Sequence, residues 1–363
     1  MVARKLKSNA ASVVFDGVTK TYGGVVTAVD NVSLEVAAGE LVTLLGPSGC
    51  GKTTTLRMIA GLEQVSGGRI FIGDEDVTIL SATDRDVSMV FQSYALFPHM
   101  TVGENVAYGL VASGFDKTEV EDRAHAGLGL VGLEGFKERL PSELSGGQQQ
   151  RVAVARALVL EPQVLLFDEP LSNLDARLRR RVRDEIREIQ TDLGLTVIYV
   201  THDQEEALAV SDRIIVMNDA VIAQTGTPRE LYQAPNSKFV ADFIGEANLL
   251  SCEITKVTAD NARVRVGKLT LDLPARGLPA GPALIAVRPS RISLAAPKAK
   301  NSLPGTLRKA TFVGSHMEFM VETELGEIFT TSENFEIKHH PGQAVGLVLA
   351  KQGPVLVPAG EQT

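Results

Sequence analysis

The sequence predicts an α/β fold over residues 1–244 and an all-β fold over residues 245–363. In the first part, short apolar runs with the length of buried strands alternate with helical patterns, which is typical of a parallel sheet with crossover helices. A glycine-rich segment at 46–53 directly follows one of these runs and precedes a helical pattern. In the second part the helical periods stop, and Gly and Pro separate short β-rich stretches. We therefore expect two domains with a boundary near residue 245.

The first domain is expected to contain a helical subdomain. The section at about 93–160 loses its strand patterns and carries helical periods, which indicates an insertion into the sheet. In the helix predicted over 175–193, apolar residues recur at steps of three and four and form one apolar face. The strands are expected at 12–15, 32–36, 41–45, 69–72, 87–91, 164–167, 197–200 and 214–217, and the helices at 53–59, 118–130, 148–160, 175–193 and 204–210.

The second domain is expected to have a core of its own. Its short β-rich stretches, such as 284–287 and 319–321, suit a small barrel. A chain segment of this length is large enough to fold as a domain.

Net charge, cysteine content and the length of apolar runs argue against several classes of function. The 363 residues contain 36 Lys and Arg against 44 Asp and Glu, which gives a net charge of −8. This acidic balance argues against coating a nucleic-acid backbone, and we expect no nucleic-acid partner. The two cysteines, Cys50 and Cys252, form no CxxC pair and indicate neither a disulfide framework nor a zinc site. No run approaches the ~20 apolar residues of a membrane span, so work at a membrane requires docking onto a protein that spans it.

The segment 46–53 carries the strongest single signal for function. It fits the pattern GxxxxGK[ST] between a strand and a helix, which is typical of a phosphate-binding loop. Glycines allow backbone N–H groups to wrap around phosphate oxygens, Lys52 supplies a positive charge to the β- and γ-phosphates, and Thr53 offers a hydroxyl to Mg²⁺. A chance glycine turn is the alternative. The predicted nucleotide-binding residues here are Gly46, Pro47, Ser48, Gly49, Cys50, Gly51, Lys52, Thr53 and Thr54.

Polar residues follow three further predicted strands. Asp168 and Glu169 come directly after one strand, and His202 follows the next. Gln92 follows the strand at 87–91. Beside a phosphate loop, Asp168 is placed to hold Mg²⁺ or its water shell, and Glu169 to accept a proton from an attacking water. Each of these residues taken alone is more typical of a turn or a structural role, so the prediction depends on their combination.

A second glycine-containing segment indicates which class of nucleotide-binding protein this is. Ser145, Gly146, Gly147 and Gln148 open a helical pattern whose positive end and free N–H groups would bind an anion. One nucleotide does not obviously need two such ends. Two copies arranged head to tail would use both, each placing this segment on the phosphate held by the Lys52 of the other. A helix N-cap with flexible glycines is the alternative.

These motifs, in this order, resemble those of the ATP-binding cassette (ABC) ATPases over residues 12–240. The resemblance implies that Tyr22 stacks on adenine, that Gln92 contributes to catalysis and to binding Mg²⁺, and that Glu169 and His202 are catalytic. It also implies ATP as the nucleotide and places Asp175 in the nucleotide site. The matching segments are Tyr22, the Walker A loop 46–53, the Q-loop Gln92, the signature 144–148, Walker B 164–169, the D-loop 172–175 and the switch His202.

Further stretches resemble importers. The segments 92–102 and 201–207 are similar to those of sugar, polyamine and mineral-ion importers, and the tail resembles their OB-like TOBE domain. The segment 239–248 is most similar to the branch that transports polyamines, ferric iron and aminophosphonates. Two residues depart from the related sequences: Asn173 stands where alanine is common, and Ser290 where glutamate is usual.

The importer resemblance implies a set of partners. It predicts a homodimer beneath two membrane-spanning permease subunits, at the cytoplasmic face of the inner membrane. A separate extracytoplasmic binding protein would deliver the solute, and the tail would regulate the dimer and stabilise it.

Other interpretations stay open. A sugar importer ATPase carries the same motifs. A soluble ABC ATPase of DNA repair or translation shares the nucleotide motifs but lacks a TOBE-like tail, and a P-loop kinase or GTPase would have no use for the segment 145–148. The apolar side chains of Tyr94, Leu96, Phe97 and Met100 fit either docking onto a permease or local core packing.

Overall fold

The computed structural model describes residues 8–335 and 339–360, in two compact units that divide between Pro228 and Arg229. The sequence placed this boundary after residue 244. The division between the units lies closer to the N-terminus, and the short helix at Lys238–Phe243 belongs to the second unit, where Ala241 is buried beside Ala286 and Val357 of the tail. None of the helices in the described ranges is long and apolar enough to cross a membrane.

The elements of the described residues follow in chain order. The helices are α1 (Lys52–Ile59), α2 (Val102–Ala112), α3 (Lys117–Leu130), α4 (Gly146–Leu158), α5 (Ala176–Leu193), α6 (Gln204–Val210), α7 (Pro228–Gln233) and α8 (Lys238–Phe243). The strands up to the unit boundary are β1 (Val13–Tyr22), β2 (Val26–Val36), β3 (Leu41–Leu45), β4 (Gly67–Ile72), β5 (Glu75–Asp76), β6 (Val87–Val90), β7 (Val164–Asp168), β8 (Thr196–Thr201), β9 (Arg213–Asn218) and β10 (Val221–Gly226).

A six-stranded sheet forms the centre of the first unit, in the order β10-β9-β3-β8-β7-β6. The strands from β9 to β6 are parallel, and β10 pairs antiparallel with β9. Both faces are buried, which explains why these strands read as continuous apolar runs. In β7, Leu165 and Phe167 join one core with α2, α3 and α4, whereas Val164 and Leu166 join a second core with α1 and β1.

The second core also contains an antiparallel sheet in the order β2-β1-β4-β5. Its first two strands form a hairpin that is longer than the predicted strands at 12–15 and 32–36. Register shifts between Phe15 and Thr21 mark bulges, which interrupt the alternation of apolar and polar residues that identifies a strand.

Hydrogen bonds join the helical subdomain to the segment after β6. Arg156 of α4 donates to the carbonyls of Tyr94 and Ala95 at 2.8 and 2.7 Å. The side-chain amide of Asn105 in α2 accepts from the N–H of Phe97 through Oδ1 and donates to the carbonyl of Phe97 through Nδ2. Tyr94 is only 6% exposed and belongs to the helical core, so local packing accounts for this member of the apolar segment. Leu96 packs against the same core.

The second unit is all-β apart from its short helices. Its strands are β11 (Asn248–Val257), β12 (Asn261–Val266), β13 (Leu269–Pro274), β14 (Gly281–Val287), β15 (Ile292–Ala295), β16 (Leu303–Phe312), β17 (Met317–Thr323), β18 (Gly326–Ser332), β19 (Ala344–Leu349) and β20 (Val355–Pro358). Two antiparallel five-stranded sheets, β13-β12-β11-β14-β20 and β15-β19-β16-β17-β18, share one core. The predicted all-β, OB-like tail is confirmed.

The packing of α8 leads to a prediction about where the chain can be shortened. A chain ending at Pro228 is expected to unfold cooperatively on heating, because both of its cores lie within the first unit. A chain ending at Asp242 would expose the buried side of α8, including Ala241, and is expected to self-associate more strongly. Circular dichroism and light scattering measure the two properties. Failure of the shorter chain to fold, or equal self-association of both chains, would contradict the boundary.

Candidate active site

The parallel strands bring the predicted site residues to one edge of the sheet. The last residue of β3, Leu45, pairs with Thr201, and Asp168 pairs with Val200. At the far strand, Val90 pairs with Phe167. The phosphate loop, Glu169, His202 and Gln92 each follow one of these aligned strand ends, which is where open α/β sheets bind ligands.

The loop after β3 closes around the ammonium group of Lys52. This side chain is 6% exposed, and its Nζ donates to the carbonyls of Gly46 and Pro47, both at 2.8 Å. Gly51 has φ +104°, and a Cβ there would lie 2.3 Å from the carbonyl oxygen of Ala28. A Cβ on Gly46 would lie 2.3 Å from the carbonyl oxygen of Met217. The loop conformation therefore requires glycine at both positions.

The N-terminus of α1, the helix that follows the loop, is suited to binding an anion. No side chain caps the N-terminus of α1, and its first turn contains no acidic residue. The first N–H groups of a helix lack intrahelical partners and carry a partial positive charge. Ser48 and Gly49 are exposed, whereas Cys50 is buried and Thr54 is half-buried. Loop and helix end together fit a phosphate chain.

Oxygen ligands lie beside this helix end. The Thr53 hydroxyl donates to Asp168 Oδ1 at 3.5 Å. Burial raises the pKa of the Asp168 carboxyl, and the positive charge of Arg57 opposes this shift. A hydroxyl and a carboxylate are ligands that Mg²⁺ prefers, so these two residues fit a magnesium ion.

Glu169 and His202 form a pair at the neighbouring strand ends. His202 Nδ1 lies 3.1 Å from Glu169 Oε2, with the histidine 59% and the glutamate 22% exposed. Glu169 has φ +46°, a conformation that costs a residue with a side chain about 1–3 kcal/mol. Its N–H donates to the carbonyl of Val200 at 3.0 Å, and its carbonyl accepts from the Ser172 hydroxyl at 3.0 Å. The backbone on both sides thus holds the carboxylate at the sheet edge.

Gln92 contacts the segment that follows Glu169. Its side-chain Nε2 donates to the Ser172 hydroxyl at 3.2 Å, and its backbone carbonyl accepts from Asn173 Nδ2 at 3.0 Å. The structure therefore places Gln92 on the segment 172–175. The side chain of Asn173, the departure noted in the sequence, supplies one of these contacts.

The signature segment caps its own helix. Gln148 Oε1 accepts from the N–H and the hydroxyl of Ser145, at 2.8 and 3.1 Å. Ser145 and Gly146 are exposed, whereas Gly147 is buried under Leu178. Among the described residues, no hydrogen bond joins this segment to the phosphate loop of the same chain.

Two further residues that were predicted to contact the nucleotide, Tyr22 and Asp175, lie at the end of β1 and at the start of α5. Tyr22 ends β1 and is 40% exposed, with Lys20 Nζ 4.8 Å from the centre of its ring. The Asp175 carboxylate accepts from the N–H groups of Arg177 and Leu178 and thereby caps α5. Its contact in this chain is structural.

Sequence reasoning missed a polar network behind His202. Glu206 on α6 is buried, where it accepts hydrogen bonds from Thr201 and Tyr199 and lies near Arg179. Burial raises the pKa of Glu206, and the Thr201 hydrogen bond opposes this shift. An acidic residue in a helix normally faces solvent, so the sequence contains no signal for its burial.

Two family models match the chain. The model described as ABC transporter matches residues 29–172, and the model described as TOBE domain matches residues 285–357. The chain is similar to the Fe(3+) ions import ATP-binding protein FbpC of Rhizobium etli, with 59% identity over 96% of this chain and 98% of that protein. The FbpC proteins of Brucella abortus and Escherichia coli O157:H7 are 62% and 50% identical, over 88% and 86% of this chain and 90% and 87% of theirs.

Solved structures agree with these relatives. A dimeric ATP-binding cassette in a post-hydrolysis state, bound to ADP and Pi, is 34% identical with a TM-score of 0.54, covering 60% of this chain and 99% of that one. The cbiO1 protein of Clostridium perfringens, part of an ABC transporter complex, is 28% identical with a TM-score of 0.57, covering 61% of this chain and 90% of that one. The predicted fold class and family are confirmed: the chain belongs to the ABC transporter ATPases, in the importer group that carries a C-terminal TOBE domain.

Proposed function

We propose that this chain hydrolyses ATP to energise the import of ferric iron. The observation that carries the proposal is the Glu169–His202 pair beside Asp168 and the phosphate loop, because it combines a base with a site for the triphosphate. The similarity of nearly the whole chain to Fe(3+) import proteins favours ferric iron over polyamines, aminophosphonates and sugars.

In the proposed site, Lys52 and the N–H groups of α1 bind the phosphates, and Tyr22 stacks on adenine. Thr53, Asp168 and Gln92 would hold Mg²⁺, which neutralises charge on the β- and γ-phosphates when bound. Glu169 orients a water and accepts its proton, while His202 fixes the carboxylate through the oxygen it contacts.

We further infer that two chains complete each site. Ser145 and Gly146 are exposed at an anion-binding helix end that their own phosphate loop does not use. A second copy, placed head to tail, would bring this end and Asp175 to the γ-phosphate side of the nucleotide.

The remaining partners follow from the import role. Two permease subunits would bind the homodimer at the cytoplasmic face of the inner membrane, and an extracytoplasmic binding protein would deliver the iron. The TOBE-like tail would regulate the assembly and hold resting subunits together.

The proposed base is tested by Glu169→Gln. The substitution keeps size and hydrogen bonding but removes the proton acceptor, so we expect ATP hydrolysis to fall by about 10²–10⁴-fold with ATP binding retained. The same variant is expected not to restore ferric iron uptake in cells that lack the protein, whereas the wild type restores it. Near-normal hydrolysis by the variant would remove Glu169 from this role and leave His202 as the next candidate. Normal iron uptake without the protein would contradict the choice of solute.

The shared site predicts two separable defects. Lys52→Ala removes the cation that faces the β- and γ-phosphates and is expected to weaken ATP binding by the single chain. Ser145→Ala is expected to leave that binding intact and to impair the ATP-bound dimer. A mixture of the two variants can form one site from two wild-type halves, so nucleotide occlusion is expected to reappear in the mixture. Dimer closure that is unaffected by Ser145→Ala would argue against the shared site.

The apolar segment after Gln92 contains a residue suited to docking. Phe97 is half-buried against Tyr108, with ring centres 4.5 Å apart, and Tyr108 is 45% exposed. Phe97→Glu is expected to abolish co-purification with the permease subunits while ATP binding persists. Ile79→Glu, at an apolar side chain that is 85% exposed in another loop, is the matched control. Loss of folding in the Phe97 variant, or equal permease binding by both variants, would contradict docking through this residue.

A further inference from the structure

One hydroxyl fixes the backbone on both sides of His202. Thr201 Oγ1 donates to Glu206 Oε2 at 2.8 Å and accepts from the N–H of Asp203 at 3.0 Å. The residues before and after the histidine are thereby tied to α6. Since His202 is itself exposed, these neighbours define where its ring stands.

The acceptor of this hydroxyl is a buried acid. The Glu206 side chain is 5% exposed, and its Oε2 also accepts from the Tyr199 hydroxyl at 3.3 Å. A buried carboxylate is destabilising unless partners satisfy it. Its other oxygen, Oε1, lies 3.7 Å from the Nε of Arg179, which supplies a compensating charge.

Arg179 makes two further contacts that lead to different parts of the site. Its Nη1 donates to Asp203 Oδ2 at 3.2 Å, and its Nη2 donates to the carbonyl of Leu174 at 3.1 Å. The planar guanidinium therefore joins the residue after His202 to the segment 172–175. A lysine, with one compact ammonium group, does not reach Asp203, the Leu174 carbonyl and Glu206 together.

The segment 172–175 also holds Gln92, through Ser172 and Asn173. A series of contacts thus runs from Gln92 through this segment to Arg179, and from there to the carboxylate of Asp203, the residue that follows His202 in the chain. The His202 ring in turn contacts Glu169. Hydrogen bonds and ion pairs make these contacts, and the covalent chain joins them within the segment 172–175 and between Asp203 and His202.

We propose that Arg179 is a positioning residue for ATP hydrolysis, which holds His202 against Glu169 and links this pair to the segment 172–175 that binds Gln92. The inference rests on the proposed hydrolytic role of the Glu169–His202 pair. Neither Arg179 nor Glu206 belongs to the phosphate loop, so their loss is expected to slow hydrolysis without weakening ATP binding.

The test compares substitutions at Arg179 in the full-length chain. Arg179→Met keeps the aliphatic stem, and we expect kcat to fall at least tenfold, since small displacements of catalytic groups reduce rates by about 10²-fold. The KM for ATP is expected to stay within twofold. Arg179→Lys keeps the charge but not all three contacts, so its kcat is expected to lie between those of Arg179→Met and the wild type.

A matched control lies two residues along the same helix. Arg181 forms an ion pair with Glu185, and its side chain is 70% exposed. Arg181→Met removes a positive charge from α5 without removing a contact to Asp203, Glu206 or Leu174, and its kcat is expected to stay within twofold of the wild type.

The outcomes separate the two proposals. If the wild type hydrolyses ATP and Glu169→Gln does not, but Arg179→Met keeps full kcat, the positioning role is overturned and the proposed function stands. If Arg179→Met lowers kcat only together with ATP affinity and thermal stability, Arg179 is a scaffold residue and the inference fails. If the wild type does not hydrolyse ATP, the proposed function itself fails.

Glu206→Gln carries the test if Arg179→Met does not fold. Glutamine still accepts from Thr201 but removes the charge that faces Arg179, and kcat is expected to fall with KM for ATP unchanged. A wild-type kcat in this variant would overturn the inference.

Discussion

The parallel register of the six-stranded sheet is the constraint on which the site depends. Because β3, β8, β7 and β6 run in the same direction and are hydrogen-bonded in order, the residues that follow each strand meet at one edge. Leu45, Val200 and Phe167 are distant in sequence, yet the register aligns their strand ends. Two cores bury the two faces of this sheet. Apolar burial therefore fixes the register, and the register places the loop, the acids and the histidine together.

The polar residues at that edge are held by backbone contacts more than by one another. Lys52 is fixed by the carbonyls of Gly46 and Pro47, and Glu169 by hydrogen bonds to its own N–H and carbonyl groups. The left-handed backbone of Glu169 is costly, and the adjoining hydrogen bonds offset that cost. Such preorganisation leaves the carboxylate in position before any ligand arrives, which is the arrangement expected of a site that acts on developing charge.

Local patterns predicted the parts of the fold in which side-chain burial follows a regular period. The strands at 41–45 and 164–167 and the helix at 204–210 agree with the structure to within a residue. Where burial follows from distant partners, the same patterns left the setting of Tyr94 undecided and missed the burial of Glu206. Tyr94 is buried in the core of the helical subdomain, where Arg156 of α4 also binds its carbonyl, and Glu206 is buried against Arg179 and Thr201. The loss of helical periods near residue 245 correctly predicted the start of regular β structure. The short helix α8 lies before that point but packs on strands of the second unit, and no local sequence pattern predicts such tertiary packing.

The exposed signature segment gives the proposed pairing a physical rationale. A helix N-terminus carries partial positive charge that is stabilised by an anion, yet the Ser145 end of α4 makes no hydrogen bond to its own phosphate loop among the described residues. If a second copy supplies the nucleotide phosphate, ATP itself completes the interface, and the closed dimer is stable only while the γ-phosphate is present. Hydrolysis would then remove the group that joins the two chains. On this view the position of His202 matters for timing as well as for rate, because the contacts that hold it also reach the segment 172–175, and closure and hydrolysis would be linked through the same few side chains.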